Sequence, residues 1–315
     1  MRGALLRAAH RSAARPFALT LRPVQNDAVH ALRRALPLFL LAGLCFSSLD
    51  ATAKWLVRDH TLFVVVLARY VGQMLVVTPV AWHRSGHGFW RTRHLKTQLL
   101  RSLCLVVATA CFFGGLRFLP LAEASAITFL APMFAILLSM PVLGERPTRA
   151  RWISAIVGLA GILVLVRPGS AVFHPAAALL VLAAVANALY QLLTRRLPND
   201  TPYTTLFYSA LVGTAVLLLA LPVAELPREV TLRDGVFLLL LGVLAGLGHW
   251  LLIGAFLAAP ASLVAPFTYV QMLWATAYGY AIFGQLPDGL SAAGMAIIVG
   301  SGVWLFMHER RMGRG

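Results

Sequence analysis

The residues of this sequence best suited to do chemistry are polar side chains that fall inside otherwise apolar stretches. In the first such stretch Ser47, Asp50 and Lys54 are spaced i, i+3 and i+7, so the three share one face of a helix. The sixth stretch repeats this periodicity with Asn187, Tyr190, Gln191 and Thr194. A charge facing lipid costs about 2.5–3.5 kcal/mol on insertion scales. Both polar stripes are therefore expected to face a cavity inside a helix bundle.

Arg69, in the second apolar stretch, supplies a charge opposite to that of Asp50. A very short gap near Asp59 joins the first two stretches, so an antiparallel helix pair would hold Asp50 and Arg69 at similar depth. Two interpretations stay open, an Asp50–Arg69 ion pair that holds the helices together and direct contact of both side chains with a substrate. Lys54, near the helix end, either joins that site or extends its ammonium group towards the membrane surface.

The eighth and ninth stretches add aromatic side chains. His249, next to Trp250, either hydrogen-bonds a backbone carbonyl or couples transport to protons, since its reference pKa is about 6.5. Gln271 lies on one helical face with Trp274 and Tyr278, which indicates ordinary packing or a cavity wall for a planar solute. The predicted substrate-binding residues are Asp50, Lys54, Arg69, Asn187, Tyr190, Gln191, His249, Trp250, Gln271, Trp274 and Tyr278.

Motifs for catalysis or for metal binding do not occur in the sequence. It has no phosphate-binding loop, no HExxH, no GxSxG and no paired-cysteine zinc spacing. The three cysteines lie in apolar stretches without ligand spacing and are expected to be packed thiols. We therefore predict no catalytic residue, no metal site, no cofactor and no ATP-driven transport by this chain alone.

The elements that must position these side chains follow from composition. Of 315 residues 59% are hydrophobic and only 12% charged, whereas soluble domains carry about 25% charged residues. Backbone groups in lipid need partners within their own segment, so each apolar stretch should form a helix. The sequence thus predicts an all-α integral membrane protein. Its ten stretches are Leu36–Val57, Thr61–Trp82, Thr97–Leu116, Ala124–Leu143, Trp152–Val166, Pro175–Leu193, Tyr203–Val223, Gly235–Leu257, Ser262–Phe283 and Leu290–Met307.

An internal repeat appears when the sequence is compared with itself at a shift of 140 residues. Leu143–Pro147 then aligns with Phe283–Pro287, Thr128 aligns with Thr268, and stretches one to five align with six to ten. Five crossings per repeat would invert the second copy in the membrane. Two inverted five-helix repeats are typical of secondary transporters with a site near the midplane.

The distribution of basic residues sets the orientation. With a cytoplasmic amino terminus, twenty Lys and Arg residues, including Arg101, lie in the loops and termini of that side, and five lie opposite. This bias predicts that both termini are cytoplasmic in a bacterial inner membrane. Residues 1–35 would form a basic arm near lipid headgroups and 308–315 a short tail. No basic patch on a soluble domain points to nucleic acid.

The stretch Leu119–Pro132 (LPLAEASAITFLAP), followed by LGERP at Leu143–Pro147, resembles the EamA family of the drug/metabolite transporter superfamily. PASLVAP at Pro260–Pro266 and FGQLP at Phe283–Pro287 resemble the same pattern in a second copy, although Gln285 stands where the family often has Glu. The resemblance implies repeats at 36–167 and 175–307, alternating access, and a cavity lined by helices one to four and six to nine. Its implied solutes include riboflavin or a similar vitamin, amino acids or metabolites, and opine-type metallophores.

The leading hypothesis is therefore a secondary transporter for a small organic solute in a lipid bilayer. Proton coupling, exchange against a counter-solute and facilitated diffusion all stay open. Helices five and ten are rich in glycine, which predicts a scaffolding role or a homodimer interface. An integral membrane enzyme is one alternative, but Glu123, Glu145 and Asp288 are scattered and form no cluster. A non-transporting partner subunit is another, although the short loops leave no room for an extramembrane domain.

Overall fold

Long apolar stretches with short polar gaps favour helices. The computed structural model describes residues 24–144, 148–167, 169–170, 172–197, 199–225, 230–259 and 264–312. These described residues contain helices and no strand. Most of the basic arm, Glu145–Pro147 of the first motif and 260–263 of the second lie outside these ranges. The α-helices are α1 (Val24–Asp59), α2 (Leu62–Ser85), α3 (Leu95–Leu116), α4 (Leu121–Thr128), α5 (Ala131–Leu143), α6 (Arg149–Leu165), α7 (Ala177–Thr194), α8 (Pro202–Ala220), α9 (Leu232–Ala258), α10 (Val270–Phe283) and α11 (Gly289–Met312).

Every predicted stretch coincides with helical structure, and α4 and α5 together cover the fourth. Within the described residues, eight segments have the length and apolar composition of membrane spans. The other two, α6 with 17 residues and α10 with 14, are shorter. The all-helical fold is thus confirmed, whereas a count of ten spans stays a prediction.

Prolines interrupt the fourth and ninth stretches. A break at Phe129 and Leu130 separates α4 from α5, and Pro132 lies in the first turn of α5, where its missing N–H costs no hydrogen bond. In the ninth stretch a 3-10 turn, Ala265–Tyr269, precedes α10. Helices α5 and α10 both end at a glycine in the left-handed conformation, Gly144 and Gly284, with φ of 73° and 65°.

Packing between the two parts of the chain dominates the bundle. Helix α1 packs against α9 and α10, α3 against α7, α2 against α8 and α9, and α5 against α7. Helices α2 and α9 approach so closely that a Cβ atom on Gly242 would collide with the backbone of Gly72. The interior of the bundle therefore lies between residues 24–143 and residues 177–283.

Helices α6 and α11, predicted to be peripheral, pack against each other within the chain. A Cβ atom on Gly161 would lie 2.9 Å from the carbonyl oxygen of Gly294, so these glycines serve this contact. The outer face of α6 exposes Trp152, Ile156 and Leu163. A homodimer through these two helices stays a prediction.

Three ion pairs within 4 Å join helix ends in the described part of the chain. They are His60–Asp234, Arg151–Glu309 and Arg167–Asp288. In the loop before α11, Asp288 Oδ1 accepts a hydrogen bond from the Ser291 backbone N–H, and both oxygens accept from Arg167 Nη2. These contacts, the Ser291 N–H foremost, hold the pKa of Asp288 below its ordinary value of 3.8.

Candidate functional site

A polar cavity of about 290 Å³ lies between α1, α2, α3, α4, α5, α7 and α10. Charged and amide side chains from both parts of the chain line it. They are Asp50, Arg69, Asn187, Gln191 and Gln271. The structure thus brings together five of the eleven predicted site residues, which lie on α1, α2, α7 and α10.

Arg69 is the cation of the cavity. Its side chain is only 6% exposed, and its guanidinium carbon lies 4.5 Å from the centre of the Tyr70 ring. The Tyr70 and Thr109 hydroxyls are 3.2 Å apart in a buried hydrogen bond, which fixes that ring between α2 and α3. The Arg69 Nη1 group is buried and has no hydrogen-bond partner. A buried N–H group without an acceptor carries its full desolvation cost.

Asp50 lines the same cavity but does not pair with Arg69. Neither residue belongs to any of the three ion pairs closer than 4 Å that join described residues. Asp50 is half-buried, so its carboxylate keeps access to the cavity. The ion pair that the sequence left open is not formed: the two residues line one cavity, but their charged atoms are more than 4 Å apart.

Lys54, predicted to bind substrate, lies outside the cavity. Its ammonium donates to the carbonyl oxygens of Leu116 at 2.9 Å and Leu119 at 2.5 Å, and the side chain is only 3% exposed. These carbonyls, at and just beyond the end of α3, are groups that a helix terminus leaves unpaired. Lys54 therefore provides hydrogen bonds to the carbonyl end of α3 and does not line the cavity.

Tyr190 also lies outside the cavity, where it receives a hydrogen bond from Arg101. Arg101, counted above with the loop residues, lies in α3 and is only 3% exposed. Its guanidinium donates to the hydroxyls of Thr194 at 2.6 Å, Tyr190 at 2.7 Å and Ser209 at 2.9 Å, and to the Thr205 carbonyl at 2.9 Å. This network, here called the Arg101 clamp, ties α3 to α7 and α8.

The two residues predicted on α9 point in different directions. His249 Nδ1 lies 2.8 Å from the Ala245 carbonyl oxygen, and its ring packs edge-on against Phe46, which lines the cavity. Trp250 is 39% exposed and lines a separate apolar pocket between α2, α8 and α9. His249 thus supports the cavity wall from behind, and Trp250 faces away from the cavity.

On α10 only Gln271 reaches the cavity. The Tyr278 hydroxyl lies 2.7 Å from the Ser48 hydroxyl and so links α10 to α1. The Trp274 Nε1–H is buried without a partner, away from the cavity lining. The aromatic face of the ninth stretch is therefore mainly a packing surface against α1.

A family model matches most of the chain, in two segments. The model of the EamA-like transporter family matches residues 33–167 and 174–307. The chain belongs to the EamA-like transporter family. With its several membrane-spanning helices it is a multi-pass membrane protein that transports a small metabolite. The resemblance stated from the sequence motifs is confirmed.

Several relatives of this EamA-like protein match it over nearly their whole length. The S-adenosylmethionine uptake transporter of Rickettsia bellii is 28% identical over 91% of this chain and 98% of its own. The riboflavin transporter of Vibrio cholerae is 30% identical over 90% of this chain and 96% of its own. The pseudopaline exporter CntI of Pseudomonas aeruginosa is 29% identical over 85% and 94%. A solved crystal structure with a TM-score of 0.65, at 20% identity over 88% of this chain, shares the fold.

The cavity of this EamA-like chain also contains residues that sequence reasoning missed. Its apolar walls include Phe46, Phe112 and Phe129, and its hydroxyl groups come from both parts of the chain. Thr128 and Thr268, one from each repeat, both line it and align at the 140-residue shift. The alignment at that shift already matched these two threonines, but they were not predicted to line the site.

Proposed function

We propose that this chain is a secondary transporter that moves a small organic metabolite through the central cavity by alternating access. The observation that carries this proposal is the convergence of Asp50, Arg69, Asn187, Gln191 and Gln271 on one cavity inside an apolar bundle. Ionisable residues inside a membrane are costly and typically mark a solute pathway. The absence of phosphate-binding and catalytic motifs from the sequence favours a carrier over a pump or a membrane enzyme.

The proposed architecture is ten spans in two inverted five-helix repeats, 36–167 and 175–307. Equivalent helices begin 140 residues apart, α2 and α8 at 62 and 202, and α6 and α11 at 149 and 289. The left-handed glycines that end α5 and α10 have the same separation. A solute site at the interface of two such repeats is the arrangement that alternating access requires.

The proposed location is a bacterial inner membrane with both termini in the cytoplasm. The strong excess of Lys and Arg in the termini and in alternate loops supports this orientation. Three exposed arginines, Arg84 in the last turn of α2 and Arg91 and Arg93 in the loop that follows, fit a position beside anionic lipid headgroups.

The names of the relatives set the range of candidate solutes. They include uptake of S-adenosylmethionine, riboflavin transport and export of pseudopaline. The cavity of this chain offers an anion and a cation, and S-adenosylmethionine carries an amino-acid group with both charges. An amino acid or an amino-acid-containing metabolite is therefore the favoured solute class, and riboflavin is the second candidate.

The test is uptake and efflux in proteoliposomes with S-adenosylmethionine, riboflavin and a set of amino acids. Each solute is assayed with and without a proton gradient, and with an excess of unlabelled solute on the opposite side. We expect saturable transport of at least one solute class, which Asp50→Asn weakens. Trp250→Phe, in a residue that faces away from the cavity, is the matched control and should transport normally. Absence of saturable flux for every class would contradict the proposal.

A further inference from the structure

We propose that the central cavity binds a zwitterion of the α-amino acid type, with its carboxylate on Arg69 and its ammonium group on Asp50. The proposal deepens the transport function above and rests on it. It assigns the two charged residues of the cavity to opposite ends of one solute, and it assigns the remaining solute surface to the phenylalanine walls.

The first argument is that Arg69 has a hydrogen-bond donor without an acceptor. Three basic side chains are buried within the described helices at 6% exposure or less, Lys54, Arg69 and Arg101. Lys54 and Arg101 are satisfied by neutral oxygens of the protein. Arg69 keeps a buried Nη1 without a partner, and it lines the cavity. A planar guanidinium with free donors is matched by a carboxylate, which accepts two parallel hydrogen bonds.

The second argument is that Asp50 is kept from neutralising Arg69. Both residues line one cavity, yet their charged atoms do not come within 4 Å. A solute with a single charge would pair with one of them and leave the other uncompensated inside the bundle. Such uncompensated buried charges are strongly unfavourable. An amino-acid group that carries both charges satisfies both residues.

The third argument concerns the rest of the cavity. Phe46, Phe112, Phe113 and Phe129 provide apolar surface, whereas Asn187 and Gln271 provide amides. Amides can fix the orientation of a polar group without adding charge. With a volume of about 290 Å³, the cavity is at the lower end of small-molecule sites. These features fit a compact solute with one charged end and an apolar or aromatic side chain.

The experiment uses the purified full-length chain in detergent and in proteoliposomes. Its probes are amino acids and S-adenosylmethionine, together with matched amines that lack the carboxylate and acids that lack the ammonium group. Thermal stabilisation and competition with the transported solute measure binding. We expect at least one zwitterion to bind roughly tenfold or more tightly than its amine and its acid, since each loses one charged contact.

Variants separate the two roles. Arg69→Gln should weaken zwitterion binding roughly 10- to 100-fold and should change binding of the amine much less, because the amine has no carboxylate. Asp50→Asn should show the opposite selectivity and spare the acid. Arg69→Lys, which keeps the cation, should restore part of the zwitterion affinity, and Trp250→Phe should bind all three probes normally.

Two results would overturn the zwitterion proposal while leaving transport intact. One is saturable transport of an uncharged solute such as riboflavin, unaffected by both charge-removing variants. The other is an equal loss of zwitterion, amine and acid binding in Arg69→Gln, which would indicate a merely structural residue. Absence of saturable flux for any solute would instead contradict the proposed transport function, so the two failures are distinguishable.

Discussion

Removal of the Arg101 clamp should weaken the bundle more than removal of any exposed arginine. The guanidinium of Arg101 donates four hydrogen bonds of 2.6–2.9 Å to residues of α7 and α8, and it stacks 4.3 Å from the centre of the Tyr190 ring. It has no carboxylate partner within 4 Å among the described residues. The substitution Arg101→Met keeps the length of the stem and removes every donor.

The expected cost follows from the number and kind of these bonds. Helix–helix hydrogen bonds in membrane proteins contribute about 0.6 kcal/mol each on average, with a maximum of about 1.7 kcal/mol. Two of the acceptors have a second partner, since Thr194 also bonds the Tyr190 carbonyl and Ser209 also bonds the Thr205 carbonyl. Four bonds at this scale give a loss of roughly 2–4 kcal/mol in the free energy of unfolding. Tyr190→Phe, which removes one of them, should cost about 1 kcal/mol.

Thermal unfolding of the purified chain in detergent measures this loss. At about 2 °C per kcal/mol, Arg101→Met should lower Tm by roughly 4–8 °C and Tyr190→Phe by about 2 °C. Arg91→Met, in an exposed arginine of the loop before α3, is the matched control and should leave Tm unchanged. If Arg101→Met unfolds at the wild-type temperature, the desolvation of the buried cation cancels its hydrogen bonds. The clamp would then not hold α3 to α7 and α8.

Three further substitutions test other parts of the structure. Lys54→Met should lower the stability by about 1–2 kcal/mol through the carbonyls it leaves unpaired, with solute KM unchanged; a raised KM at unchanged Tm would place Lys54 in the site. Gly242→Ala should destabilise by about 1–3 kcal/mol, because its Cβ would collide with Gly72 in the neighbouring helix, whereas Gly43→Ala, with open space around it, should be tolerated in the same unfolding assay. Asp288→Asn should be slightly less stable than wild type above pH 3.8, and the difference should vanish as pH falls through the depressed pKa of Asp288. A difference in Tm that stays constant down to pH 3 would contradict this assignment.

The helices could be predicted closely because lipid leaves the backbone no alternative. Apolar length alone located all ten stretches, but it did not predict the break that divides the fourth stretch into α4 and α5. Helices α6 and α10 are shorter than the other predicted spans, so their length alone does not identify them as membrane-spanning. Residue types thus set the elements, and the 140-residue shift indicated which elements are equivalent.

The cavity could be predicted only in part, because a helical face does not reveal its partner. Asp50 and Lys54 lie on one face of α1, yet Asp50 lines the cavity and Lys54 bonds the end of α3. The difference arises at the end of α3, where the carbonyl oxygens of Leu116 and Leu119 lie within hydrogen-bond distance of the Lys54 ammonium. The orientation count includes Arg101 among the loop charges, although the residue falls inside the predicted stretch Thr97–Leu116. Its hydroxyl partners on α7 and α8 are distant in sequence, so the sequence does not reveal them.

The equivalence of the two repeats explains why Asp50 remains available to a solute. Tyr190 and Thr194, which accept hydrogen bonds from Arg101, align with Asp50 and Lys54 at the 140-residue shift. Arg101 itself aligns with Leu241 of α9, which is fully buried and apolar. The polar stripe of α7 thus binds an internal cation, Arg101. On α9 the equivalent residue is a leucine, so the stripe of α1 has no such cation to pair with. The carboxylate of Asp50 therefore stays open to the cavity, opposite in charge to Arg69 and separate from it.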